Sequence, residues 1–431
     1  MSPATAPGDI FAAPYGGPGP SGPMILDGAG NLVWFDPLPS GIEATNLQVQ
    51  QDGGANVLTW WQGRITPQGF GRGEEIIADS SYRQVAGIRA GNGMEADLHD
   101  FHLAPNGTAV LTVFNPILCN LSSAGGPVAG AITDSILQEL DLVTGLVRRE
   151  WHSLDHVALG DSYSSAAGAT AAWPFDYFHL NSIDQLANGH TVLSARNTSA
   201  LYEIATATGR VLARIGGRRS TVRLGAGTET AYQHDAGVLS NGTISIFDNG
   251  GVPKVHPQSR GIVVSLDPKH RTDTLLAQFV HPTPLLAGSQ GNLQTLPDGH
   301  EFVGWGSEPY FSEFSPSGAL LFDAHMAGSY ESYRAYRFPW SGSPTAAPSV
   351  AFTAASSSTP ATVFASWNGD TRTALWRVLA GPSPHALTPL ASAPRSGFET
   401  AIELPAAAPY LAVQALDAGG SVLASSEAIA G

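Results

Sequence analysis

From residue 24 onward the chain repeats one pattern: a run in which apolar and polar residues alternate, a turn built on Asn-Gly, Asp-Gly or Gly-Asn, and a second alternating run. It is read in MILDGAGNLVWF (24–35), LQVQQDGGANVLTWW (47–61), DFHLAPNGTAVLTVF (100–114), SIDQLANGHTVLSAR (182–196), DAGVLSNGTISIFDN (235–249) and NLQTLPDGHEFVGWG (292–306). Alternation places successive side chains on opposite faces of a strand, and these turn residues tolerate the positive φ of a tight hairpin, so each unit predicts a hairpin. A second strand pair follows several of them, in ALYEIATATGRVLARIGG (200–217), GIVVSLDPKHRTDTLLAQF (261–279) and YFSEFSPSGALLFDAHM (310–326). Four strands per unit, repeated in tandem, predict propeller blades. The fold expected is all-β, a six-bladed β-propeller; uneven spacing between turns leaves five or seven blades as alternatives.

Three stretches rich in Gly, Ala and Ser interrupt the repeat, at about 115–135, 152–176 and 218–231. Long loops in a compact fold are commonly functional, and these are expected over one mouth of the channel. After SYRAYRFPW (332–340) the run SGSPTAAPS reads as a linker. Beyond it the short alternating runs SVAFTAA, TVFASW, ALWRVLAG, TAIELP and YLAVQAL, with Trp367 and Trp376, predict a small β-sandwich of immunoglobulin or fibronectin kind. The expected division is a propeller over 1–340 and a C-terminal sandwich over 341–431.

The repeat also carries histidines. LHDFHLAPNG (98–107) and YQHDAGVLSNG (232–242) each set a His-Asp pair ahead of the Asn-Gly turn, and His99, His179 and His234 all stand an even number of residues before their turn glycines, Gly107, Gly189 and Gly242. Even offsets predict one shared face, whereas His102, at an odd offset, is expected to point into the layer between blades. If the first strand of each blade lines the channel, the three histidines converge near one mouth, with Arg196 capping the same space. Two chemistries fit such a cluster. One is a metal site, since imidazole suits zinc, copper or iron; against it, an arginine repels the cation, and Asp100 and Asp235, directly after their histidines, are expected to face away. The other is an anion site, with one neutral histidine as nucleophile and the remaining groups neutralising a tetrahedral oxyanion. A guanidinium offers sulfate or phosphate a fork of donors, which favours this second reading.

Composition narrows the classes further. With 431 residues, 43% hydrophobic and 13% charged, the chain can bury a large core, and 49 glycines and 31 prolines suit many short strands. A formal net charge of -15 with scattered basic residues lacks the footprint of a nucleic-acid binder. Cys119 is alone, so no internal disulfide is available and its thiol is expected to be inert. No apolar run is long enough to span a bilayer, and the first residues lack a secretion signal. The scarcity of lysine, present only as Lys254 and Lys269, fits either a GC-rich genome or a secreted protein. The expectation is a secreted or extracytoplasmic protein with its signal removed, the cytoplasm being the alternative. Glycines fall in hairpin turns, not in a phosphate-binding loop, so no nucleotide cofactor is expected.

At LHDFHLAPNG (98–107), FHLNSIDQLANGHTVLSARN (178–197), YQHDAGVLSNGTISIFDNG (232–250) and SYRAYRFPW (332–340) the chain resembles the bacterial arylsulfate sulfotransferases, PAPS-independent enzymes that move a sulfuryl group between phenols. The likeness covers about 70–340, and its most specific motif is His-x-Asn-Ser-Ile-Asp followed by Ser-x-Arg. The resemblance implies a six-bladed propeller, no cofactor, no metal, and ping-pong transfer from an aryl sulfate to a phenolic acceptor through a sulfohistidine. It implies His234 as nucleophile, with His99, His179 and Arg196 holding the sulfuryl oxygens and His99 or His179 relaying protons. Asn181, Tyr177, Asn249 and Trp305 are the expected substrate contacts, and Tyr177, Phe178, Tyr232, Phe247, Trp305 and Tyr310 the candidates for an aryl cleft. The partners expected are these small molecules. The well-known periplasmic members carry an N-terminal β-sandwich and cysteines that can pair; here the small domain is C-terminal and Cys119 is alone, and the closer likeness is to the shorter actinobacterial and fungal branch. The rival readings are a metal-dependent hydrolase or lyase using the same histidines, and a non-catalytic binding protein.

Overall fold

The computed structural model describes residues 5–431, and they form an all-β, propeller-like fold. Up to Phe338, the described residues build six sheets of four antiparallel strands, one carrying a fifth, parallel strand. In five of them the innermost pair is a hairpin that the alternation predicts. These pairs are Glu43–Asp52 with Ala55–Ile65, Phe101–Ala104 with Thr108–Cys119, Leu180–Gln185 with His190–Ala195, His234–Val238 with Ile244–Asp248, and Asn292–Thr295 with Glu301–Gly304. The remaining sheet joins the two ends of this region. Its inner strand is Glu331–Phe338, which pairs with Asp9–Tyr15, and Met24–Leu26 and Leu32–Phe35 follow outward. The hairpin read at 24–35 is therefore an outer pair, because the returning strand occupies the inner position.

Each interface between neighbouring sheets is an apolar layer, and the layers run in a ring. Phe11, Trp34, Leu58 and Trp60 join the closing sheet to the second; Trp61, Phe101 and Leu111 join the second to the third. Val110, Ile132, Ile183 and Leu193 continue to the fourth, and Val192, Ile215, Ala236 and Ile246 to the fifth. Phe247, Val263, Leu293 and Val303 reach the sixth, from which Leu296 and Phe302 pack back on Ile10 and Ala335 of the closing sheet. Burying one such side chain is worth about 1.5–3 kcal/mol, and alternation with both faces covered is what lets four short strands remain a sheet.

Nearer the axis, polar side chains stitch one inner strand to the next. Asn46 Nδ2 donates to His99 O at 2.7 Å and Asp100 Oδ2 accepts from Ile183 N at 2.7 Å. Asn181 Nδ2 donates to Gln233 O at 2.8 Å, Asp235 Oδ2 accepts from Leu293 N at 3.1 Å, and Asn292 Nδ2 donates to Ala335 O at 2.7 Å. On the axis lies buried Arg334. Its Nη1 sits 2.9 Å from Asp100 Oδ1 and 3.2 Å from Asp235 Oδ1, and its Nη2 donates to Asn181 O at 2.8 Å. Asp100 and Asp235 thus do not face away into the sheets; they face the axis and tie three inner strands to a fourth. His102 joins them, its Nε2 3.0 Å from Asp100 Oδ2, so it does not enter the layer between sheets.

Past Phe338, a three-stranded and a four-stranded antiparallel sheet with one further short strand share a separate core of Val363, Trp367, Trp376, Val378, Ile402, Leu411 and Val413. They dock on the closing sheet through Asn368, which exchanges hydrogen bonds of 3.0 and 2.9 Å with the Phe35 backbone, and through Gly369, whose N–H reaches Val33 O at 2.8 Å. Gly369 takes φ +93°, and Tyr82, stacked on Trp34 at 4.7 Å, occupies the space a β-carbon there would need.

Candidate active site

His99 lies two residues and His179 one residue before the inner strands of their sheets, and His234 is the first residue of its own. All three are buried at one end of the ring. The rings of His99 and His179 meet edge to face with centroids 4.6 Å apart, and the Tyr333 ring stands edge-on to both His99 (5.4 Å) and His234 (6.3 Å). Phe114 stacks on His99 at 5.0 Å, and Phe70 stacks on Phe114 at 5.3 Å, fixing the imidazole plane. Convergence arises from the strand ends and not from strand parity. His179, at φ +62°, lies in the left-handed region, as do Tyr232 (+59°) and Gln290 (+66°), and alternation does not operate across such a residue. Each of these conformations costs on the order of 1–3 kcal/mol, and observed strain of this kind concentrates where function needs a fixed geometry.

What stands behind each imidazole differs. The Nδ1 of His99 is hydrogen-bonded to Asp97 Oδ1, which also accepts from Thr112 Oγ1 at 3.2 Å, while Asp97 Oδ2 accepts from Gly71 N at 2.6 Å. The Nδ1 of His179 is hydrogen-bonded to Asp176 Oδ2, and its Nε2 is buried without a partner. His234 instead has neutral oxygens behind it. Its Nδ1 lies 2.7 Å from Asn249 Oδ1 and 2.9 Å from Tyr232 O, and its Nε2 accepts from Gln290 N at 3.2 Å. Asn249 spends its amide nitrogen on Ala287 O (3.2 Å) and Gln290 O (2.9 Å), so its oxygen must face the ring and the proton must sit on Nδ1.

Burial, and then the Arg196 cation, push the His179 imidazole down to about 4, against the pull of Asp176. The same two causes take His234 well below the ordinary range, so both rings are neutral near pH 7. Burial works to raise the Asp176 carboxyl, but His179 and Arg196 outweigh it and hold it below the usual range. Arg196 lies 3.8 Å from Asp176, over the face of Tyr232 at 4.8 Å, and donates from Nε to Asn197 Oδ1 at 3.1 Å. Arg196 also lines a pocket of about 340 Å³ together with Asp176, Asn197, Gln68, Ser164 and Trp173; the three histidines lie behind Arg196 and Asp176 and do not line it themselves. Among the described residues no group of three or more His, Cys, Asp or Glu is arranged to hold a metal ion.

A family model described as arylsulfotransferase (ASST) matches residues 48–327. The chain belongs to the arylsulfotransferase family. No curated protein matches it. Solved structures similar to it include a protein of unknown function from Bacteroides caccae, at 13% identity over 77% of this chain and 98% of the other, with a TM-score of 0.46. Others are a virginiamycin B lyase from Staphylococcus aureus (9%, 67% and 74%, 0.33) and a regucalcin from Agrobacterium tumefaciens (11%, 76% and 83%, 0.36). At these identities and TM-scores they carry no argument about this arylsulfotransferase.

The arylsulfotransferase structure brings His99, His179, His234, Arg196 and Asn249 together, and Tyr232 with them through Arg196. It does not bring Trp305 or Tyr177. Trp305 is buried against Phe247 and Phe314 and donates to Ser312 Oγ at 2.9 Å; Tyr177 lies in the layer between the third and fourth sheets with Phe175 and Phe178. Large aromatic rings at a strand end fill the wedge between diverging sheets before they line a cleft. Phe247 and Phe178 are core for the same reason, and Tyr310 packs on His281 and His325. Asn181 stitches inner strands and holds no exposed surface. Asp97 and Asp176 are site residues that pattern reading passed over. Their signal is local, an aspartate two residues before His99 and another three before His179.

Proposed function

We propose that this arylsulfotransferase transfers a sulfuryl group from an aryl sulfate to a phenol in two steps, with His234 as the nucleophile. The observation that carries the reading is the contrast behind the rings: His99 and His179 are backed by carboxylates, His234 by an amide and a carbonyl oxygen. A carboxylate suits an imidazole to take and return protons, whereas a neutral acceptor leaves a sulfurylated imidazole electron-poor and ready to give the group up. The His234 Nε2 lone pair attacks sulfur as the Gln290 amide gives way. An N–S bond forms, the S–O bond to the aryl group breaks, and the phenolate departs with its electron pair. Acceptor phenol then attacks sulfur, the N–S bond breaks, and the phenol's proton passes to the Nε2 of His99 or His179. Arg196 neutralises the sulfuryl oxygens throughout.

A second reading has its own observation. His179 Nε2 is buried and unpartnered, whereas His234 Nε2 accepts a backbone N–H, so His179 is the rival nucleophile. Phenol release from 4-nitrophenyl sulfate with acceptor phenol varied tests the function: parallel initial-rate lines support two-step transfer, and intersecting lines or no transfer refute it. The same proposal takes the six sheets as the blades of a six-bladed propeller over 1–340. It takes the last two sheets as an immunoglobulin-like sandwich over 341–431, and the protein as a secreted member of the shorter branch.

A further inference from the structure

The stretch 152–176 leaves the third sheet, forms a short helix at Ser153–His156 and a 3-10 turn at Leu159–Asp161, and returns as a two-residue strand, Phe175–Asp176, which ends beside His179. Just before this return the chain makes a closed turn: Thr170 N donates to Trp173 O at 2.9 Å, and Trp173 N donates to Thr170 O at 3.1 Å and to Thr170 Oγ1 at 3.0 Å. Gln68, in the hairpin loop of the second sheet, clamps that turn by donating from Nε2 to Ala172 O at 2.6 Å. The turn so held presents Trp173, which is 55% exposed, at the edge of the 340 Å³ pocket that ends on Arg196 and Asp176. What sets this exposed indole apart is its place: it lines the same pocket as the Arg196 guanidinium, so one concave site offers both a π face and a fork of donors.

We infer that Trp173 is the wall that receives the aryl ring, and so a specificity-determining residue of this transferase; the inference rests on the sulfuryl-transfer reading of the same site. Ala169 and Pro174 add apolar lining to the pocket, and Gln68, Ser164 and Ser165 add polar, uncharged lining. The chemistry that fits is a single aromatic ring stacked on the indole, its ester or hydroxyl oxygen directed to Arg196, and neutral polar substituents on the ring. Asp176 Oδ1, buried and without a partner, is placed at the same end of the pocket to accept a hydrogen bond from an acceptor hydroxyl. Substrates with two fused rings or an anionic ring substituent fit this description poorly, as does an aliphatic alcohol, which offers the indole no π face.

The test separates binding from turnover. Calorimetric titration of the full chain with 4-nitrophenol and with cyclohexanol compares the wild type with Trp173→Ala and Trp173→Phe. Expected is about tenfold weaker 4-nitrophenol binding in Trp173→Ala, with Phe restoring most of it and cyclohexanol binding poorly to all three. In turnover of 4-nitrophenyl sulfate the same change is expected in KM, with kcat within about twofold. Unchanged 4-nitrophenol affinity in a Trp173→Ala protein whose melting temperature matches the wild type overturns the inference. If wild type transfers sulfuryl while Trp173→Ala changes nothing, the inference fails and the transfer reading stands. If phenol binds in a Trp173-dependent way but no transfer occurs, the wall is real and the transfer reading fails.

Discussion

Asn249 Oδ1 sits 2.7 Å from His234 Nδ1, with both amide hydrogens of Asn249 already committed to Ala287 O and Gln290 O. That commitment turns an asparagine into a tautomer selector: it can only accept from the ring. Asn249→Ala is expected to lower the transfer rate by on the order of 100-fold through a freed ring, with KM little changed. Asn249→Asp is expected to lose stability, because a carboxylate oxygen replaces the amide nitrogen that donates to Ala287 O and Gln290 O, and to slow the second step in the folded fraction, because a carboxylate makes the imidazole a poorer leaving group; accumulated sulfuryl-enzyme in single-turnover quench experiments checks this.

The axial ion cluster predicts a stability effect separate from chemistry. Removing Arg334 takes the cation from Asp235 and leaves buried Asp100 with His102 as its remaining ion partner, so Arg334→Met is expected to cost about 3–5 kcal/mol in urea unfolding. Arg334→Lys rescues little, since an ammonium cannot reach both carboxylates and Asn181 O from one fork. Loss of less than about 1 kcal/mol in Arg334→Met contradicts the ring-pinning role.

Acid should loosen the fold through the same histidines that are proposed to carry the transfer. His179 is held neutral down to about 4 by burial and by Arg196, whereas an imidazole in the unfolded chain takes up its proton near 6.5. The unfolded state therefore binds more protons in that window, and stability falls as pH drops from about 6.5 to about 4, by on the order of 3 kcal/mol from this group. His234 acts in the same direction. Urea midpoints measured between about pH 7 and about pH 4.5 should fall in wild type and fall less steeply in His179→Gln; equal slopes contradict the assignment.

Trp305 separates core from site. Trp305→Ala is expected to destabilise by about 3–5 kcal/mol as its cavity opens between the fifth and sixth sheets, while the folded fraction keeps its KM for aryl sulfate. A raised KM at unchanged stability would place Trp305 at substrate after all.

Much of the architecture is legible because hairpin turns and alternation are local. Five of the six inner pairs fall where Asn-Gly, Asp-Gly or Gly-Asn punctuate alternating runs. The closing sheet is not legible that way, since its inner strand comes from residues more than 300 positions away in sequence from the strand it pairs with, as in Asp9 with Phe338. A second regularity was present in the letters: TNLQ, HDFH, LNSI, HDAG and GNLQ each carry Asn or Asp at 46, 100, 181, 235 and 292, the stitching positions of the inner strands. The recurring His-Asp pair thus has two halves with different duties, the aspartate sealing the ring and the histidine opening on the site. Parity assigns them to opposite faces of a regular strand, but left-handed residues at His179, Tyr232 and Asp235 break the alternation at the strand ends. The aromatic residues were harder to place, because a tryptophan that fills a wedge and one that lines a cleft have the same sequence neighbours.

The most direct measurement is intact-protein mass spectrometry after mixing with 4-nitrophenyl sulfate in the absence of acceptor, followed by peptide mapping under neutral conditions. The account predicts one burst of nitrophenolate per chain, one added sulfuryl mass on the peptide containing His234, and loss of that mass on adding phenol. The adduct on the peptide containing His179 would move the nucleophile to that residue, and a folded protein with neither burst nor adduct would contradict transfer through a sulfohistidine.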